Sequence, residues 1–407
     1  MTQGMPIPHR AGLYLGLLQL LLTLGWTSYA VYLPRLAAQV GLAASAVIWL
    51  LMLDQVIFSV TDFVSGVAAD RLAGRVGRVS RVVVAVTALS CAAFVALPWV
   101  AGTGALPLFL GLTVLWAATS SVLRAPTLKL LSKYAPRPQI PWLAGLVALG
   151  FGLAGAVAPY VAATLRGMDP RWPFVLSSAA LLLACFGLER MERGLATKSA
   201  ETKPAAKPEA ADPVPPASRV MLFLAAAVIL ALGFQVHSNI NSGPFFRRFA
   251  EPADIELLMP VFWIGFSLAV LPAGWLAARW GRLAVGGAAG LVGAAAVLAA
   301  HMAGSLTVMI AAQFVAGAAW GCMVTSLVAA APVIGGKGHE GFVLGLTFSA
   351  LALATLARMS AVAGGLPADP AYAAVLGWAP ALAWSAGGAA LLVLAAMARP
   401  HRETAAA

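Results

Sequence analysis

Long apolar runs separated by short polar segments dominate this chain of 407 residues. A transmembrane α-helix needs about 20 mainly apolar residues, whereas a strand of a membrane barrel shows about ten residues of alternating polarity. The runs have the length and continuity of helices, so the pattern predicts an all-helical chain. Twelve of them span residues 12–34, 44–69, 80–101, 105–131, 140–164, 172–189, 219–243, 257–279, 283–303, 306–334, 341–364 and 371–397. The first is longer than the apolar core of a signal peptide, so we expect it to be retained as a helix.

A polar segment divides the runs into six and six. Residues 196–218, ATKSAETKPAAKPEAADPVPPAS, are rich in Pro, Ala, Lys and Glu, a composition that predicts a disordered tether. The predicted organisation is an N-terminal six-helix bundle at residues 1–189, a linker at 190–218, a C-terminal six-helix bundle at 219–398 and a cytoplasmic tail at 399–407.

Composition places these helices in a membrane. The chain is 61% hydrophobic and 10% charged, with a mean hydropathy of +0.89. A soluble domain carries about 25% charged residues, so this sequence cannot cover a water-facing surface. We therefore predict an integral membrane protein of the plasma membrane, with the bacterial inner membrane as the expected location.

The net charge of +11 raises the possibility of a nucleic-acid partner, but the basic residues are distributed as in a membrane protein. One set of short loops carries most of them, at Arg71, Arg75, Arg78, Arg81, Lys129, Lys133, Arg137, Arg279, Arg282 and Lys337. The opposite loops have Arg35, Arg166, Arg171, Arg247 and Arg248. By the positive-inside rule, both termini are predicted to be cytoplasmic, and the charge is explained by insertion and contact with anionic lipid rather than by nucleic acid.

A sequence repeat relates the two halves. GVAADRLAGRVGR follows the second run and GWLAARWGR follows the eighth, with Gly66 and Gly274 separated by 208 residues, as are Arg71 and Arg279. Ala125-Pro126 in run four is echoed by Ala331-Pro332 in run ten. Two six-helix halves of parallel orientation, with a substrate site between them, are a transporter architecture.

The first copy of the repeat resembles the signature loop of the major facilitator superfamily, G-x-x-x-D-R-x-G-R. The matching residues are Gly66, Asp70, Arg71, Gly74 and Arg75, with one extra residue before Gly74. The second copy keeps Gly274, Arg279, Gly281 and Arg282, and has Ala278 where an acid would stand. The resemblance extends from end to end and implies twelve transmembrane helices in two pseudo-repeat bundles. It also implies that the loop Asp and Arg form a cytoplasmic latch, which caps a helix end and pairs across the halves when the protein faces outward.

Four charged residues lie deep inside apolar runs: Asp54, Asp62, Arg124 and Arg358. A bare charge at the bilayer centre costs at least about 2.5–3.5 kcal/mol, so such residues pair with one another or serve a function. Asp62 lies eight residues before Asp70, and Arg124 nine residues before Lys133. At 1.5 Å per residue, both lie about 12 Å from the inner loops, so a salt bridge between them is predicted. A static structural pair and a role in gating or coupling both remain open.

Asp54 and Arg358 lie in the outer half of the membrane by the same count. The resemblance implies that helices 2 and 11 face each other across the two halves. A pair between these residues would exist only when the outer side is closed, which would make it a gate, and an Asp released from it could carry a proton. Static packing is an equally open interpretation.

Several polar and aromatic residues are candidates for a substrate cavity. Run seven ends with Gln235, His237, Asn239 and Asn241 before Gly243-Pro244, a segment that either meets headgroup water or is unwound and lines the cavity. The resemblance implies that helices 1, 4, 7 and 10 line the cavity, which adds Gln19, Thr23, Trp26, Trp116, Gln313 and Trp320. Together these residues favour an amphipathic organic solute held by aromatic faces and a few hydrogen bonds.

The function predicted from the sequence is a monomeric, proton-coupled secondary transporter for a small organic solute, working by alternating access. No P-loop is present, which argues against ATP drive. No catalytic residues, cofactor or metal site are predicted, and Cys91, Cys185 and Cys322 lie singly in apolar runs as packing residues. A scaffold or sensor that has the transporter fold without flux remains an alternative. A membrane enzyme acting on lipid is disfavoured because His237 has no carboxylate or Cys beside it.

Overall fold

The computed structural model describes residues 9–72, 76–201 and 216–398. Within these ranges it is helical, without strands, and twelve helices are long and apolar enough to cross a membrane. The predicted all-helical fold is therefore confirmed. The spans are α1 His9–Gln39, α2 Ala46–Leu72, α3 Arg78–Gly102, α4 Leu106–Tyr134, α5 Ile140–Leu165, α6 Arg171–Thr197, α7 Ala217–Phe246, α8 Pro252–Trp280, α9 Arg282–His301, α10 Leu306–Gly335, α11 Glu340–Ala363 and α12 Pro370–Met397.

The fourth span is broken. Its α-helical segments, Leu106–Ser120 and Ala125–Tyr134, are joined by a 3₁₀ turn at Ser121–Leu123. Pro126 has no N–H to donate to the preceding turn, so the regular α-helical pattern stops there. Arg124 lies in the break with φ −97° and ψ −89°, outside regular helical values. In contrast, α10 continues through Pro332, the counterpart of Pro126 in the repeat.

The seventh span is also irregular. A π-helical turn at His237–Asn241 separates the α-helical segments Ala217–Val236 and Ser242–Phe246. Pro244 cannot donate a hydrogen bond to the turn before it, and a single π turn is one way in which a helix accommodates such a residue. The alternative of an unwound segment, raised by the sequence, is wrong, because the chain stays helical through this region.

The linker begins later than residue 190, where the sequence analysis placed it. The last part of α6 belongs to a helical segment, Gly187–Glu201, that extends into the predicted linker. This segment is stabilised because Leu188, Glu192 and Leu195 form one face that is buried against the first half of the chain. Glu192 accepts hydrogen bonds from the Ser80 hydroxyl at 2.5 Å and the Tyr134 hydroxyl at 3.3 Å. Residues 202–215 of the predicted linker and the predicted tail at 399–407 lie outside the described residues.

Two helix pairs, α2 with α11 and α5 with α8, join the first six spans to the last six at equivalent glycines of the repeat. A Cβ atom at Gly66 would collide with the backbone oxygen of Gly341. One at Gly274 would lie 2.7 Å from the backbone oxygen of Pro141. Both contacts need glycine, because only a missing side chain lets two helix backbones approach this closely. We call this end of the molecule, formed by residues 66–72, 129–141 and 336–342, the latch end, and the opposite end the far end.

Candidate functional site

At the latch end, Asp70 caps the first turn of α11. Its carboxylate accepts hydrogen bonds from the backbone N–H groups of Gly341 at 2.9 Å and Phe342 at 2.7 Å. These amides have no partner within their own helix, and a negative charge is favourable at a helix N-terminus. The Lys129 ammonium contacts Asp70 and lies 3.2 Å from Glu340 Oε2. The result is a chain of charges that crosses from α2 and α4 to α11.

The residues of this latch differ in part from those of the signature loop. Asp70 is in the inferred place, but Arg71 is exposed, and among the described residues it has no ionic partner. Lys129 supplies the positive charge instead. Lys129 and Glu340 were not among the predicted latch residues, although a lysine within the apolar turn Leu128–Leu131 was a signal of burial. Gly74 and Arg75 lie outside the described residues.

In the second copy of the motif, Arg279 contacts a neighbouring residue of its own helix, and Gly281 forms a turn. Arg279 is exposed and stacks over the ring of Trp275, with its guanidinium carbon 5.8 Å from the ring centroid. Gly281 has φ +96°, a backbone conformation that favours glycine, and it forms the turn between α8 and α9. Arg282, the first residue of α9, is partly buried.

Asp62 and Arg124 form the predicted contact, with Oδ1 of Asp62 3.0 Å from Nε of Arg124. The Asp62 side chain is fully buried, and neither of its oxygens has a well-directed hydrogen bond from a described residue. The Arg124 guanidinium also donates to the Ser121 hydroxyl at 3.0 Å and lies over the ring of Phe58 at 4.5 Å. The pair is thus ionic, buried and imperfectly satisfied, which is a costly arrangement that depends on both charges being present.

Asp54 is fully buried, and its partner is Tyr29 on α1. The Tyr29 hydroxyl donates to Asp54 Oδ2 at 2.9 Å, while Oδ1 has no partner among the described residues. The Tyr29 ring packs on Trp116 with centroids 4.4 Å apart, and Trp26 stacks on Trp116 at 5.8 Å. We call Trp26, Tyr29, Phe58 and Trp116 the aromatic cluster. It brings two of the predicted cavity residues, Trp26 and Trp116, together with Tyr29, which was not among the residues predicted from the sequence.

The two polar candidates on α1 bond to each other. Gln19 donates to the Thr23 hydroxyl at 3.4 Å, and that hydroxyl donates to the Gln19 carbonyl at 2.8 Å. Both side chains are partly exposed. They are placed one turn apart on the same helix as Trp26, so they extend the polar and aromatic face predicted for α1.

Arg358 on α11 is held by a polar group on α7. Its Nε donates to Gln235 Oε1 at 2.9 Å, and Asn239 Nδ2 donates to the same oxygen at 3.1 Å. Gln235 Nε2 donates to the Thr355 hydroxyl at 2.7 Å. The predicted pair between Asp54 and Arg358 is not formed in this conformation, because each residue has a different, neutral partner.

The remaining candidates are packed inside the last six spans. His237 Nε2 lies 3.1 Å from Gln313 Oε1, and Gln313 Nε2 donates to the Ser242 hydroxyl at 2.8 Å. Asn241 donates to the Leu376 carbonyl at 2.8 Å. Trp320 stacks on Phe234 with centroids 4.6 Å apart. All four candidates, His237, Asn241, Gln313 and Trp320, are buried in this conformation, so they connect α7, α10 and α12.

Replacing Gln313 with alanine is expected to destabilise the fold by about 1–3 kcal/mol, because it leaves the buried His237 ring without its hydrogen-bond partner and removes one of the two hydrogen bonds of the Ser242 hydroxyl. His237 Nδ1 already lacks a described partner, so the imidazole would lose its remaining bond. Thermal unfolding in detergent measures the effect. Gln19→Ala is the control: that side chain is partly exposed, and its hydrogen bond to a described residue stays within α1, so a change within about 0.5 kcal/mol is expected. Equal losses in both variants would contradict the structural role of Gln313.

Two halves joined by α2–α11 and α5–α8, with a charged latch at one end, define the class as a helical membrane transporter. The family model described as Major Facilitator Superfamily matches residues 15–357. The chain belongs to this superfamily, as the signature loop indicated. No curated protein matches the sequence significantly.

Solved structures of other transporters share the fold. A bacterial homologue of the iron transporter ferroportin, in an outward-facing state, aligns with a TM-score of 0.74 at 12% identity, over 95% of this chain and 100% of that one. The human organic anion transporter MFSD10 aligns with a TM-score of 0.67 at 15% identity, over 95% and 99%. The proton:xylose symporter XylE gives 0.67 at 14%, over 96% and 94%. At these identities the likeness shows the fold alone.

Proposed function

We propose that this protein is a secondary transporter that moves a small organic solute by alternating access. The observation that carries the proposal is the closure of the latch end by contacts between the two halves that can separate. Asp70, Lys129 and Glu340 join the halves by charge, and Gly66 packs on the backbone of Gly341. With the latch end on the cytoplasmic side, as the Lys and Arg distribution favours, this conformation is closed to the cytoplasm. The protein is a monomer of the bacterial inner membrane in this proposal, with both termini cytoplasmic.

The aromatic cluster supports an organic solute as the substrate. Trp26 and Trp116 come from helices that line the cavity in this superfamily, and Trp26 is partly exposed. Aromatic faces with a few polar groups suit a small molecule that has both apolar and hydrogen-bonding parts. Gln19, Thr23 and Asn239 are partly or fully exposed polar groups on the same set of helices.

Proton coupling is assigned to Asp54, with Arg358 as its gating partner when the far end closes. Asp54 is a buried carboxylate without an ionic partner in the described part of the chain, and an ionisable residue in such a position inside a membrane is functional by default. Asp62 already has Arg124 beside it, which makes it the less suitable proton carrier. Coupling to protons has a precedent in XylE, a proton:xylose symporter of the same fold.

The direct test is transport by the purified protein. Solutes that raise the thermal stability of the protein in a metabolite and drug library would be taken into proteoliposome assays with an imposed pH gradient. We expect flux that depends on the gradient and collapses when a protonophore is added. Binding without flux for every stabilising solute would support the scaffold or sensor alternative. Flux that persists with the protonophore would contradict proton coupling but still support transport.

Asp54→Asn is expected to favour the state that is open at the far end, because closing that end would no longer bring Asp54 and Arg358 together as a charge pair. The measurement is maleimide labelling of a reporter at the exposed residue 239 (Asn239→Cys), with Cys91, Cys185 and Cys322 replaced by Ala. Labelling should increase, and the pH dependence of transport should weaken. Arg358→Lys should be milder than Arg358→Gln, since it keeps the charge and loses only the planar fork. Unchanged labelling together with unchanged pH dependence in Asp54→Asn would reduce Asp54 to a packing role.

A further inference from the structure

Arg358 carries a positive charge that no described residue neutralises. Its hydrogen bond to a described residue goes to the neutral Gln235, and among the described residues no carboxylate lies within ion-pair distance of it. The other three charged residues placed deep inside the apolar runs are compensated or hidden. Arg124 has Asp62 beside it, and Asp54 is fully buried and bonded by Tyr29. Arg358 is partly exposed, so the uncompensated charge that a solute would meet here is positive.

The surrounding polar groups hold the guanidinium by one edge. Gln235 Oε1 accepts from Arg358 Nε and from Asn239 Nδ2, and Gln235 is itself fixed by donating to Thr355. Both lone pairs of that oxygen are thereby used. Nη1 and Nη2 of Arg358 have no hydrogen bond to a described residue. Two parallel N–H groups of this kind match the two oxygens of a carboxylate.

The guanidinium is anchored on the side of Arg358 that faces the latch end. Side chains of a helix tilt toward its N-terminus, which for α11 is the latch end. Its anchor, Gln235, also bonds Thr355, one turn of α11 nearer to the latch end. Arg358 lies nine residues, about 13 Å, farther along α11 than Ser349, which donates to the Ser59 carbonyl of α2 at 2.5 Å. It therefore lies beyond the hydrogen-bonded contact of the two halves, on the side from which a solute would enter this conformation.

We infer that Arg358, with Gln235 and Asn239, forms a subsite for a carboxylate group of the transported solute. The inference rests on the proposed transport function and narrows its substrate class to organic carboxylates. In this subsite Arg358 binds the carboxylate through Nη1 and Nη2, Gln235 positions the guanidinium, and the exposed Asn239 amide supplies a further hydrogen-bonding group. The carboxylate compensates the positive charge that the protein leaves unpaired in this conformation.

The test uses pairs of compounds that differ only in carrying a carboxylate or the corresponding primary amide. Aliphatic and aromatic monocarboxylates and dicarboxylates form the series, and thermal stabilisation of the purified full-length protein reports affinity. Carboxylates should bind about tenfold or more tightly than their amides, as expected for hydrogen bonds to a charged group. Arg358→Gln should abolish this preference and Arg358→Lys should retain part of it. Arg166→Gln is the control, because that arginine is exposed and paired with Glu256, and the preference should be unchanged.

Three results would overturn the subsite: equal stabilisation by carboxylates and amides, no stabilisation by any carboxylate of the series, or an intact preference in Arg358→Gln. If Arg358→Gln fails to fold, Arg358→Lys decides, since an undiminished preference there contradicts recognition by the planar fork. The transport assay separates this inference from the proposed function. Gradient-driven flux of neutral solutes without a carboxylate preference would support transport and contradict the carboxylate subsite. Carboxylate binding without any flux would support the subsite and contradict transport.

Discussion

Replacing Gly66 with alanine is expected to shift the protein away from the conformation described above, by about tenfold or more in the ratio of closed to open latch ends. The added Cβ would collide with the Gly341 backbone oxygen, and overpacking of this kind costs about 1–3 kcal/mol. The penalty applies only while α2 and α11 are in contact. Alanine is also the better helix former by about 0.5–1 kcal/mol, so the fold itself should not be weakened.

The shift can be measured by labelling Ser349→Cys in a background without the native cysteines. Ser349 is buried and donates to the Ser59 carbonyl across the α2–α11 contact, so a maleimide reaches it only when the latch end opens. Gly66→Ala should increase the labelling rate. Gly111→Ala is the matched control, because a Cβ at that position on α4 meets no atom within 4 Å. Equal labelling rates for both glycine variants would show that the contact at Gly66 does not limit opening.

Asp62→Asn is expected to destabilise the fold by about 3 kcal/mol, because it leaves the Arg124 charge without its partner. Breaking a buried ion pair costs about 3–5 kcal/mol, and we take the lower end since 21% of the Arg124 side chain is exposed. Arg124→Gln should have a comparable effect. The double variant should recover part of the loss, because a fully neutral pair has no stranded charge. Folded yield from size exclusion and the free energy of unfolding in detergent are the measurements.

The control for this pair is Arg166→Gln. Arg166 and Glu256 are 2.7 Å apart, but their side chains are 61% and 52% exposed. An exposed pair contributes at most about 1 kcal/mol, so this variant should be close to wild type. Similar yields for wild type, Asp62→Asn and Arg124→Gln would show that Asp62 and Arg124 do not stabilise each other.

The contact between Asp62 and Arg124 could be predicted because depth along a membrane helix is fixed by the rise per residue. The depth of each residue could be counted from a loop at the same end of the protein, and helices 2 and 4 belong to the same half of the chain. The same count failed to find the partners of Asp54 and Arg358. Depth does not say which way a side chain faces, and the actual partners, Tyr29 and Gln235, are neutral groups that no charge-matching argument selects.

The parts that the sequence did not predict depend on details at helix ends. Lys129 was counted as a loop base because it lies near the end of a span, yet its ammonium is buried between Asp70 and Glu340. Leu188, Glu192 and Leu195 have the spacing of one helix face, but the Lys-, Glu- and Pro-rich composition that follows obscured this signal. The Pro244 signal was visible, but it marked only an irregularity and could not distinguish a π turn from unwinding.

The charges at the latch end reduce the electrostatic cost of separating the two halves. When α11 withdraws from α2, Asp70 keeps Lys129, because both belong to the first half of the chain. Glu340 leaves with α11, but it already accepts a hydrogen bond from the backbone N–H of Gly338 at 3.0 Å and lies at the favourable N-terminal end of its own helix. Each charged side chain thus retains a local partner after separation, whereas the Gly341 and Phe342 amides of α11 lose Asp70. A smaller electrostatic cost of separation lowers the binding energy that is needed to shift the equilibrium between the two states.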